Sequence, residues 1–385
     1  MKKLLMIPGP IEYDSDVLNA LSLPTISHSS KEFISVYRDV LLNLSAVFGS
    51  STSDSLPFII SGSGTLGMEA SVVNFIKRDS KVLVVNTGYF GDRFVDLFSR
   101  FTSNFDQIKP PLGEAVDPSL VREKIDTNEY ELMTVTHVDT STGVRNDVKR
   151  IAEITRNSDT LLVVDAVCSA GGENLDMKWG IDVAFSASQK ALGAPPGLAV
   201  GVAGSRAISR MDKLQPLSFF SDLRKWRAVS MRILDSKGGY FATPNVNLVM
   251  ALGVSLSKIM KEGMDVRIRR HELMSASIRA GLESMGLEMI AKKAYANTVS
   301  AVYLPQGVDL KKFLEYAEDR GVVFASGLIK EIADRYFRIG HMGNIGPSEV
   351  MISIGAIEKA LEANGHLMKP GIGLSAAQSD LFKSS

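Results

Sequence analysis

The feature that most constrains the fold is a series of short segments that are apolar on both faces and rich in β-branched residues. Such segments are typical of buried strands in a mostly parallel sheet. The candidate strands are Phe58–Ile60, Val82–Asn86, Leu132–Thr136, Leu161–Asp165, Asp182–Phe185 and Leu198–Val202. Between several of them lie helical patterns, at Thr65–Arg78, Gly91–Phe101 and Val148–Arg156. This alternation of strand and helix predicts an open, doubly wound α/β domain.

The pattern changes from about Asn247, where long amphipathic helices replace the alternation. Further strand candidates then occur at Thr298–Leu304, Val322–Ala325 and Tyr336–Ile339, with helices at Leu310–Asp319 and Ser348–Leu361. The sequence therefore predicts a second, smaller α+β domain, since 385 residues exceed what one hydrophobic core usually serves. We expect an N-terminal arm over residues 1–15, a large domain over 16–250, a small domain over 251–368 and a mobile tail over 369–385.

Charge and composition narrow the classes of partner and compartment. The chain has 43 Lys and Arg against 43 Asp and Glu, so no net field favours nucleic acid or an acidic membrane surface. Its apolar runs are shorter than the roughly 20 residues that cross a bilayer, and its five histidines lack the spacing of metal ligands. The one cysteine, Cys168, cannot form a disulfide within the chain. We therefore expect a cytoplasmic protein with no metal, nucleic-acid or membrane partner.

A glycine-rich turn, Ser61-Gly62-Ser63-Gly64-Thr65, leads from a candidate strand into the helix that begins near Leu66. Backbone N–H groups at a helix N-terminus form a ready anion site, and glycine lets the ligand approach closely. The turn lacks the lysine of a P-loop and the spacing of a dinucleotide fingerprint. It therefore predicts a phosphate site of another class, although turns of this kind also connect strands and helices without any ligand.

Two residues near strand ends carry candidate chemistry. Asp165 ends an apolar strand, where a buried carboxylate is costly unless it meets a cation or strong donors. The carboxylate could cap a helix or form a salt bridge with a loop residue. Alternatively, it could pair with the protonated ring nitrogen of a cofactor. Lys190 follows the next candidate strand and lies among serine, alanine and glycine residues. Most lysines are solvated surface charges, but a lysine in such a setting can lose its proton and condense with an aldehyde.

The glycine-rich turn, Asp165 and Lys190 occur in the order and kind found in the pyridoxal-5′-phosphate (PLP) dependent aminotransferases of class V, which have fold type I. The chain resembles the alanine/serine–glyoxylate (serine–pyruvate) aminotransferase branch of that class along nearly its whole length. The segments that carry the resemblance are Pro8-Gly9-Pro10, Ser61–Thr65, Thr136–Gly143, Val164–Val167, Ser188–Ala191, Tyr240–Pro244 and Arg338–Gly343. The resemblance implies a mostly parallel, doubly wound sheet domain and a smaller C-terminal α+β domain.

The resemblance also implies roles for individual residues. Lys190 would bind the PLP aldehyde as a Schiff base and carry the proton during catalysis, and Asp165 would pair with the pyridine nitrogen. Val167 and Phe90 would pack against the ring, with Tyr89 as the alternative to Phe90. The remaining cofactor contacts within the chain would come from Ser63, Gly64, Thr65, Thr140 and Gln189.

Substrate binding and assembly are implied in the same way. Arg338 would bind the substrate carboxylate in a bidentate geometry that lysine cannot reproduce, and Pro8 and Gly9 would line the mouth of the site. Tyr240 and Thr243 would reach the cofactor phosphate of a partner subunit, which implies a homodimer with shared active sites. The implied activity is ping-pong transamination of serine or alanine with glyoxylate or pyruvate.

Two alternatives on the same fold stay open at this stage. A cysteine desulfurase-like lyase would need a mobile nucleophilic cysteine, and Cys168 is the sole candidate in the sequence. A non-catalytic regulator built on the PLP fold would lack the lysine or the carboxylate-binding arginine, whereas this sequence has both Lys190 and Arg338. The sequence therefore favours an aminotransferase over either alternative.

Overall fold

The computed structural model describes residues 3–382 and confirms the α/β class. In chain order the strands are β1 (Leu4–Leu5), β2 (Ser55–Ser61), β3 (Val82–Val85), β4 (Phe105–Ile108), β5 (Leu132–Thr136), β6 (Val138–Asp139), β7 (Val144–Arg145), β8 (Leu161–Asp165), β9 (Val183–Ala187), β10 (Leu198–Gly204), β11 (Val299–Tyr303), β12 (Val322–Val323), β13 (Ala325–Ser326) and β14 (Tyr336–Gly340). The α-helices are α1 (Ser15–Ser22), α2 (Lys31–Val47), α3 (Gly64–Val73), α4 (Tyr89–Ser99), α5 (Pro118–Thr127), α6 (Val148–Thr155), α7 (Ser205–Asp212), α8 (Leu223–Leu234), α9 (Val246–Glu262), α10 (Met264–Ser284), α11 (Leu310–Asp319), α12 (Pro347–Ala363) and α13 (Ile372–Phe382).

The centre of the structure is a seven-stranded sheet with the order β2-β10-β9-β8-β5-β3-β4. Strand β10 runs antiparallel to β2 and to β9, and the other neighbouring pairs are parallel. The first core consists of two apolar clusters, one on each face of this sheet. Side chains alternate between them: Leu162 and Val164 pack on one side, and Leu161 and Val163 on the other. Coverage of both faces explains why the strands are apolar throughout, and the predicted mostly parallel, doubly wound sheet is confirmed.

The parallel register brings the candidate catalytic residues together at the carboxyl ends of neighbouring strands of this sheet. Thr136 at the end of β5 lies opposite Asp165 at the end of β8, and Asp165 lies opposite Phe185 in β9. Lys190 comes shortly after β9 ends at Ala187. Because ligand sites in open α/β sheets form outside the carboxyl ends of the strands, this end of the sheet is the expected place for an active site.

A second apolar core lies around the three-stranded antiparallel sheet β11-β14-β13 in the C-terminal part of the chain. Phe313 and Phe337 belong to this core. Met6 joins it from the N-terminal segment, where β1 pairs in parallel with β12. Helix α9 runs without interruption through the domain boundary predicted at residue 250, so the division into segments stays a prediction.

The C-terminal segment differs from its prediction. The expectation of a mobile tail from residue 369 onward is wrong for helix α13, in which Leu381 is buried against the second core. The Glu358 carboxylate of α12 accepts a hydrogen bond from the Leu374 N–H at 3.2 Å. An apolar face and a carboxylate at the helix N-terminus therefore hold in place a segment whose composition alone suggests mobility. The rest of the predicted tail, residues 383–385, lies outside the described residues.

Candidate active site

A cavity of about 170 Å³ lies at the carboxyl ends of β8 and β9, beside the start of α3. It is lined by Ser63, Gly64, Thr65, Met68, Phe90, Arg93, Asp165, Val167, Gln189 and Lys190. The structure therefore brings most of the predicted cofactor-binding residues together in one place. Met68 and Arg93 line the cavity as well, although the sequence analysis did not single them out.

The glycine-rich turn opens onto this cavity at the start of α3. Ser63 is the N-cap residue of α3, and its side chain makes no capping hydrogen bond to the first N–H groups of the helix. A β-carbon on Gly64 would lie 3.3 Å from side-chain carbons of Val167 and of Ala187, so a larger residue would crowd the cavity wall. The turn thus presents backbone donors at a helix N-terminus, which is the arrangement that binds phosphate.

Lys190 is enclosed by the N-terminal segment of the chain. Its Nζ donates a hydrogen bond to the backbone carbonyl of Pro8. Its side chain passes so close to Gly9 that a β-carbon there would lie 2.7 Å from the lysine Cδ, and Gly9 also has a φ of +93°, which favours glycine. Burial lowers the pKa of Lys190 and so increases the share of the neutral, nucleophilic amine.

Asp165 is buried at the cavity, with 3% of its surface exposed, and one carboxylate oxygen accepts a hydrogen bond from the Val167 N–H at 2.9 Å. Burial, helped by the negative charge of Asp139, raises the pKa of Asp165 to about 7, while the positive charges of Lys190 and Arg93 oppose the rise. A carboxyl group in this state favours a cationic partner, because a positive charge beside it stabilises the ionised form.

A second buried carboxylate, Asp139, holds the start of α4 in place. One of its oxygens accepts hydrogen bonds from the backbone N–H groups of Phe90 (3.1 Å) and Gly91 (3.4 Å). The other accepts from the backbone N–H (3.0 Å) and the hydroxyl (2.6 Å) of Ser141. Asp139 therefore caps α4 from a distant part of the chain and fixes the backbone of Phe90. Phe90 lines the cavity, whereas 37% of the Tyr89 surface is exposed.

Arg338 lies in β14 and is 9% exposed. Its Nε donates to the carbonyl oxygen of Ser326 at 2.8 Å, and its Nη1 donates to that of Thr140 at 3.4 Å. Its positive charge is close enough to Lys190 to contribute to the lowered pKa of that lysine. A buried guanidinium that donates to carbonyl oxygens keeps its charge available for an anionic ligand.

Three predicted cofactor-binding residues lie away from the cavity wall. Thr140 is buried and presents its carbonyl oxygen to Arg338. Tyr240 and Thr243 lie between α8 and α9, with their hydroxyl oxygens 3.2 Å apart, and 63% of the Tyr240 surface is exposed. Tyr240 and Thr243 therefore do not line the cavity of their own chain.

Cys168 and the motif histidines have structural surroundings. The Cys168 Sγ lies 3.5 Å from Thr298 Oγ1 in the interior, and burial raises the pKa of the thiol. Such a cysteine lacks the exposure and acidity that a desulfurase nucleophile needs. Burial lowers the pKa of His137 and of His341 to about 3, so both rings are neutral. Between residues 3 and 382, no cluster of side chains is arranged to hold a metal ion, and no helix has the length and apolar character to cross a membrane.

The comparison with known proteins decides the family. The family model described as aminotransferase class-V matches residues 12–339. The chain belongs to the class V aminotransferases. This aminotransferase is therefore a PLP-dependent enzyme, and the resemblance found in the sequence motifs is confirmed. The non-catalytic alternative has no support from this finding.

Individual relatives match this aminotransferase along most of their length. An alanine–glyoxylate aminotransferase 1 of Saccharomyces cerevisiae is 41% identical over 88% of this chain and 91% of its own. An L-aspartate–glyoxylate aminotransferase of Paracoccus denitrificans is 30% identical over 97% of this chain and 95% of its own. The solved structure of pyridoxamine–pyruvate aminotransferase from Mesorhizobium loti has a TM-score of 0.93 at 28% identity and covers 100% of this chain and 98% of its own. These matches confirm fold type I.

The cavity of this aminotransferase fits PLP. Gln189 has a buried side-chain oxygen without a hydrogen-bond partner among residues 3–382, and a hydrogen-bond donor of a ligand would satisfy it. Asp165 has a raised pKa, which the cationic ring nitrogen of PLP would lower again. Lys190 is a buried amine of lowered pKa, the form that condenses with an aldehyde.

Proposed function

We propose that this aminotransferase exchanges amino groups between small amino acids, alanine or serine, and small 2-oxo acids, glyoxylate or pyruvate, in a ping-pong reaction. The observation that carries the proposal is the buried Arg338 guanidinium near Lys190, which donates its hydrogen bonds to carbonyl oxygens. Such a group can bind the carboxylate that all four substrates share. The yeast and M. loti relatives, named for alanine with glyoxylate and for pyridoxamine with pyruvate, support these substrates.

The proposal assigns the cofactor contacts to the cavity beside Lys190. Asp165 would pair with the pyridine nitrogen, and Phe90 and Val167, which line the same cavity, would pack against the ring. When bound, PLP supplies an electron sink for the electron pair that is released at the substrate Cα. Ser63, Gly64, Thr65 and Gln189 would hold the phosphate. Thr140, which does not itself line the cavity, would lie on the side of the ring hydroxyl.

Lys190 carries the proton in this proposal. Its Nζ would accept the proton that leaves the substrate Cα and later release it, and burial favours the neutral amine that this needs by lowering its pKa. Arg338 fixes the substrate carboxylate, so the Cα is held within reach of the amine. Pro8 and Gly9 enclose Lys190 and limit the space for a substrate side chain.

A donor–acceptor matrix with the purified enzyme tests the substrate class. We expect kcat/KM for alanine or serine with glyoxylate or pyruvate to exceed that for aspartate or glutamate with 2-oxoglutarate by orders of magnitude. The reason is that a buried, unpaired side-chain carboxylate costs several kcal/mol. Aspartate is the decisive competitor, because the P. denitrificans relative is named for it. If aspartate or glutamate is the best donor, the small-donor proposal fails.

We further propose a cytoplasmic homodimer in which Tyr240 and Thr243 serve the partner's cofactor phosphate. Tyr240 is 63% exposed, and the neighbouring ring of Phe241 contacts Phe219, which is 74% exposed, at a centroid distance of 5.8 Å. Exposed aromatic groups of this kind favour a protein interface. A cytoplasmic enzyme is consistent with the single, buried Cys168, since a reducing compartment requires no disulfide.

Subunit complementation tests the shared sites. We expect that mixing the inactive Lys190→Ala protein with an inactive Tyr240→Phe/Thr243→Val protein restores activity, because each hybrid dimer contains one site with all its native groups. Activity is measured after subunit exchange, and tagged subunits confirm that hybrids form. The control mixes Lys190→Ala with Lys190→Ala carrying the second tag, which should stay inactive. Hybrids without activity would mean that each site is built within one chain.

A further inference from the structure

Among the described residues that line the cofactor cavity, two are basic: Lys190 and Arg93. We infer that Arg93 is a binding residue for the cofactor phosphate, an inference that rests on the proposed binding of PLP in this cavity. Arg93 Nη1 donates a hydrogen bond to Thr65 Oγ1 at 3.1 Å. Thr65 lies in the first turn of α3, beside the backbone N–H groups that suit a phosphate. Arg93 therefore reaches the part of the cavity where the phosphate charge is expected.

The charge balance of the cavity favours such a cation. A phosphate monoester carries about −1.5 to −2 charges at pH 7. The donors at the start of α3 are neutral, and in the proposed function Asp165 and the cationic ring nitrogen balance each other, so neither offsets the phosphate charge. Lys190 is committed to the cofactor aldehyde and to the substrate proton in the proposed function. Arg93 is the lining cation that remains to balance the phosphate.

Arg93 is held in position by aromatic rings rather than by an acidic side chain. Its guanidinium carbon lies 5.0 Å from the ring centroid of Phe90 and 5.1 Å from that of Tyr89. Its Nη2 donates to the Tyr89 hydroxyl at 3.4 Å, so its side-chain hydrogen bonds go to two hydroxyl groups. The guanidinium is thus ordered before the ligand binds, and its charge stays available for an anion.

The arrangement gives helix α4 two functions at once. Phe90 and Arg93 are neighbours on one helical turn, so the same turn presents a ring to the cofactor face and a cation to its phosphate. Asp139 fixes the start of that turn through its hydrogen bonds to the Phe90 and Gly91 N–H groups. The position of the cation is therefore coupled to the position of the stacking ring.

The test compares two ligands that differ only in the phosphate, pyridoxamine 5′-phosphate and pyridoxamine. Both lack the aldehyde, so bond formation with Lys190 does not contribute. Dissociation constants are measured by calorimetry on the full chain freed of cofactor, and the phosphate preference is the constant for pyridoxamine divided by that for pyridoxamine 5′-phosphate. We expect Arg93→Gln to lower this preference by about 10- to 100-fold, the effect of one lost charge-assisted hydrogen bond.

Two further variants and the ratio itself keep the test decisive. Arg93→Lys keeps the charge and should retain more of the phosphate preference than Arg93→Gln. Arg100→Gln, at the C-terminal end of α4 where Arg100 pairs with Asp96, should leave the preference unchanged. A misfolded fraction lowers the number of binding sites for both ligands alike and leaves the ratio of the two dissociation constants unchanged. If Arg93→Gln weakens both ligands equally, Arg93 only supports the Phe90 ring and the inference is overturned; if the wild type binds neither ligand, the proposed PLP site fails as well.

Discussion

Lys190→Ala is expected to lower transamination by at least about 1000-fold, because the variant loses the group that carries the proton at the substrate Cα. The half-reaction measures this directly: alanine or serine is added to the cofactor-loaded protein, and the change in the visible spectrum is followed with time. The variant should still fold, since the Lys190 side chain makes one hydrogen bond to the described residues, to the Pro8 carbonyl, and the backbone bond from the Gly193 N–H is kept. We therefore expect a normal unfolding transition together with a silent half-reaction.

The matched control is Lys178→Ala. Lys178 is exposed and lies on another segment of the same domain, so its removal should leave the half-reaction unchanged. A Lys190→Ala protein that transaminates at a rate near that of the wild type would contradict the proton-carrier role. Loss of activity in both variants would point to a general effect of lysine removal instead.

Asp165→Asn is expected to bind PLP and to transaminate at least about 100-fold more slowly, the usual cost of losing one electrostatic contact in an active site. The amide is close to the carboxylate in shape, so the hydrogen bond from the Val167 N–H can persist. It carries no charge, however, and cannot keep the ring nitrogen protonated. The measurement is kcat together with the PLP dissociation constant, and we expect the main loss in kcat.

The matched control for this variant is Asp182→Asn. Asp182 is another buried aspartate and lies just before β9. Burial raises its pKa to about 6, and its carboxylate accepts a hydrogen bond from the Leu162 N–H at 2.8 Å. It does not line the cofactor cavity. We therefore expect Asp182→Asn to change the stability of the protein but not kcat per folded molecule. A near-normal kcat in Asp165→Asn, or an equal loss in Asp182→Asn, would contradict the assigned role.

The sheet could be predicted from sequence because its chemistry is local. The buried strands are apolar on both faces, which is typical of a parallel sheet. Parallel pairing brings the carboxyl ends of β8 and β9 together, and this does not depend on the conformation of the loops. Asp165 and Lys190 follow from that rule, because each lies at or just after a strand end. The strand pattern therefore carried the fold and the two central residues of the site.

The residues that were missed depend on contacts between distant parts of the chain. Asp139 was part of a recognised motif, but its partners, the N–H groups of Phe90 and Gly91, lie 49 and 48 positions away. Arg93 reads as an ordinary surface charge in a helix until α4 is packed beside the start of α3 and its side chain meets Thr65. The sequence around Arg93 does not indicate whether its side chain faces solvent or lines a cavity.

The predictions for the C-terminal tail and for the end of the helix after the glycine-rich turn were wrong for a related reason. Helix α3 ends before the predicted Arg78, because the Asn74 side chain bonds to the carbonyl of Ser221 at 2.7 Å and accepts from the Leu223 N–H at 2.9 Å. Those partners come from a segment that the helical pattern does not contain. Helix α13 likewise depends on a carboxylate in α12, which local composition cannot reveal.

The most direct test of the account is to locate the covalent link between cofactor and chain. The cofactor-loaded protein is reduced with borohydride, digested and analysed by mass spectrometry. We expect one modified lysine, Lys190, because it is the buried amine at the cavity beside Asp165. Modification of a different lysine, or a reduced protein from which the cofactor can still be removed, would contradict it.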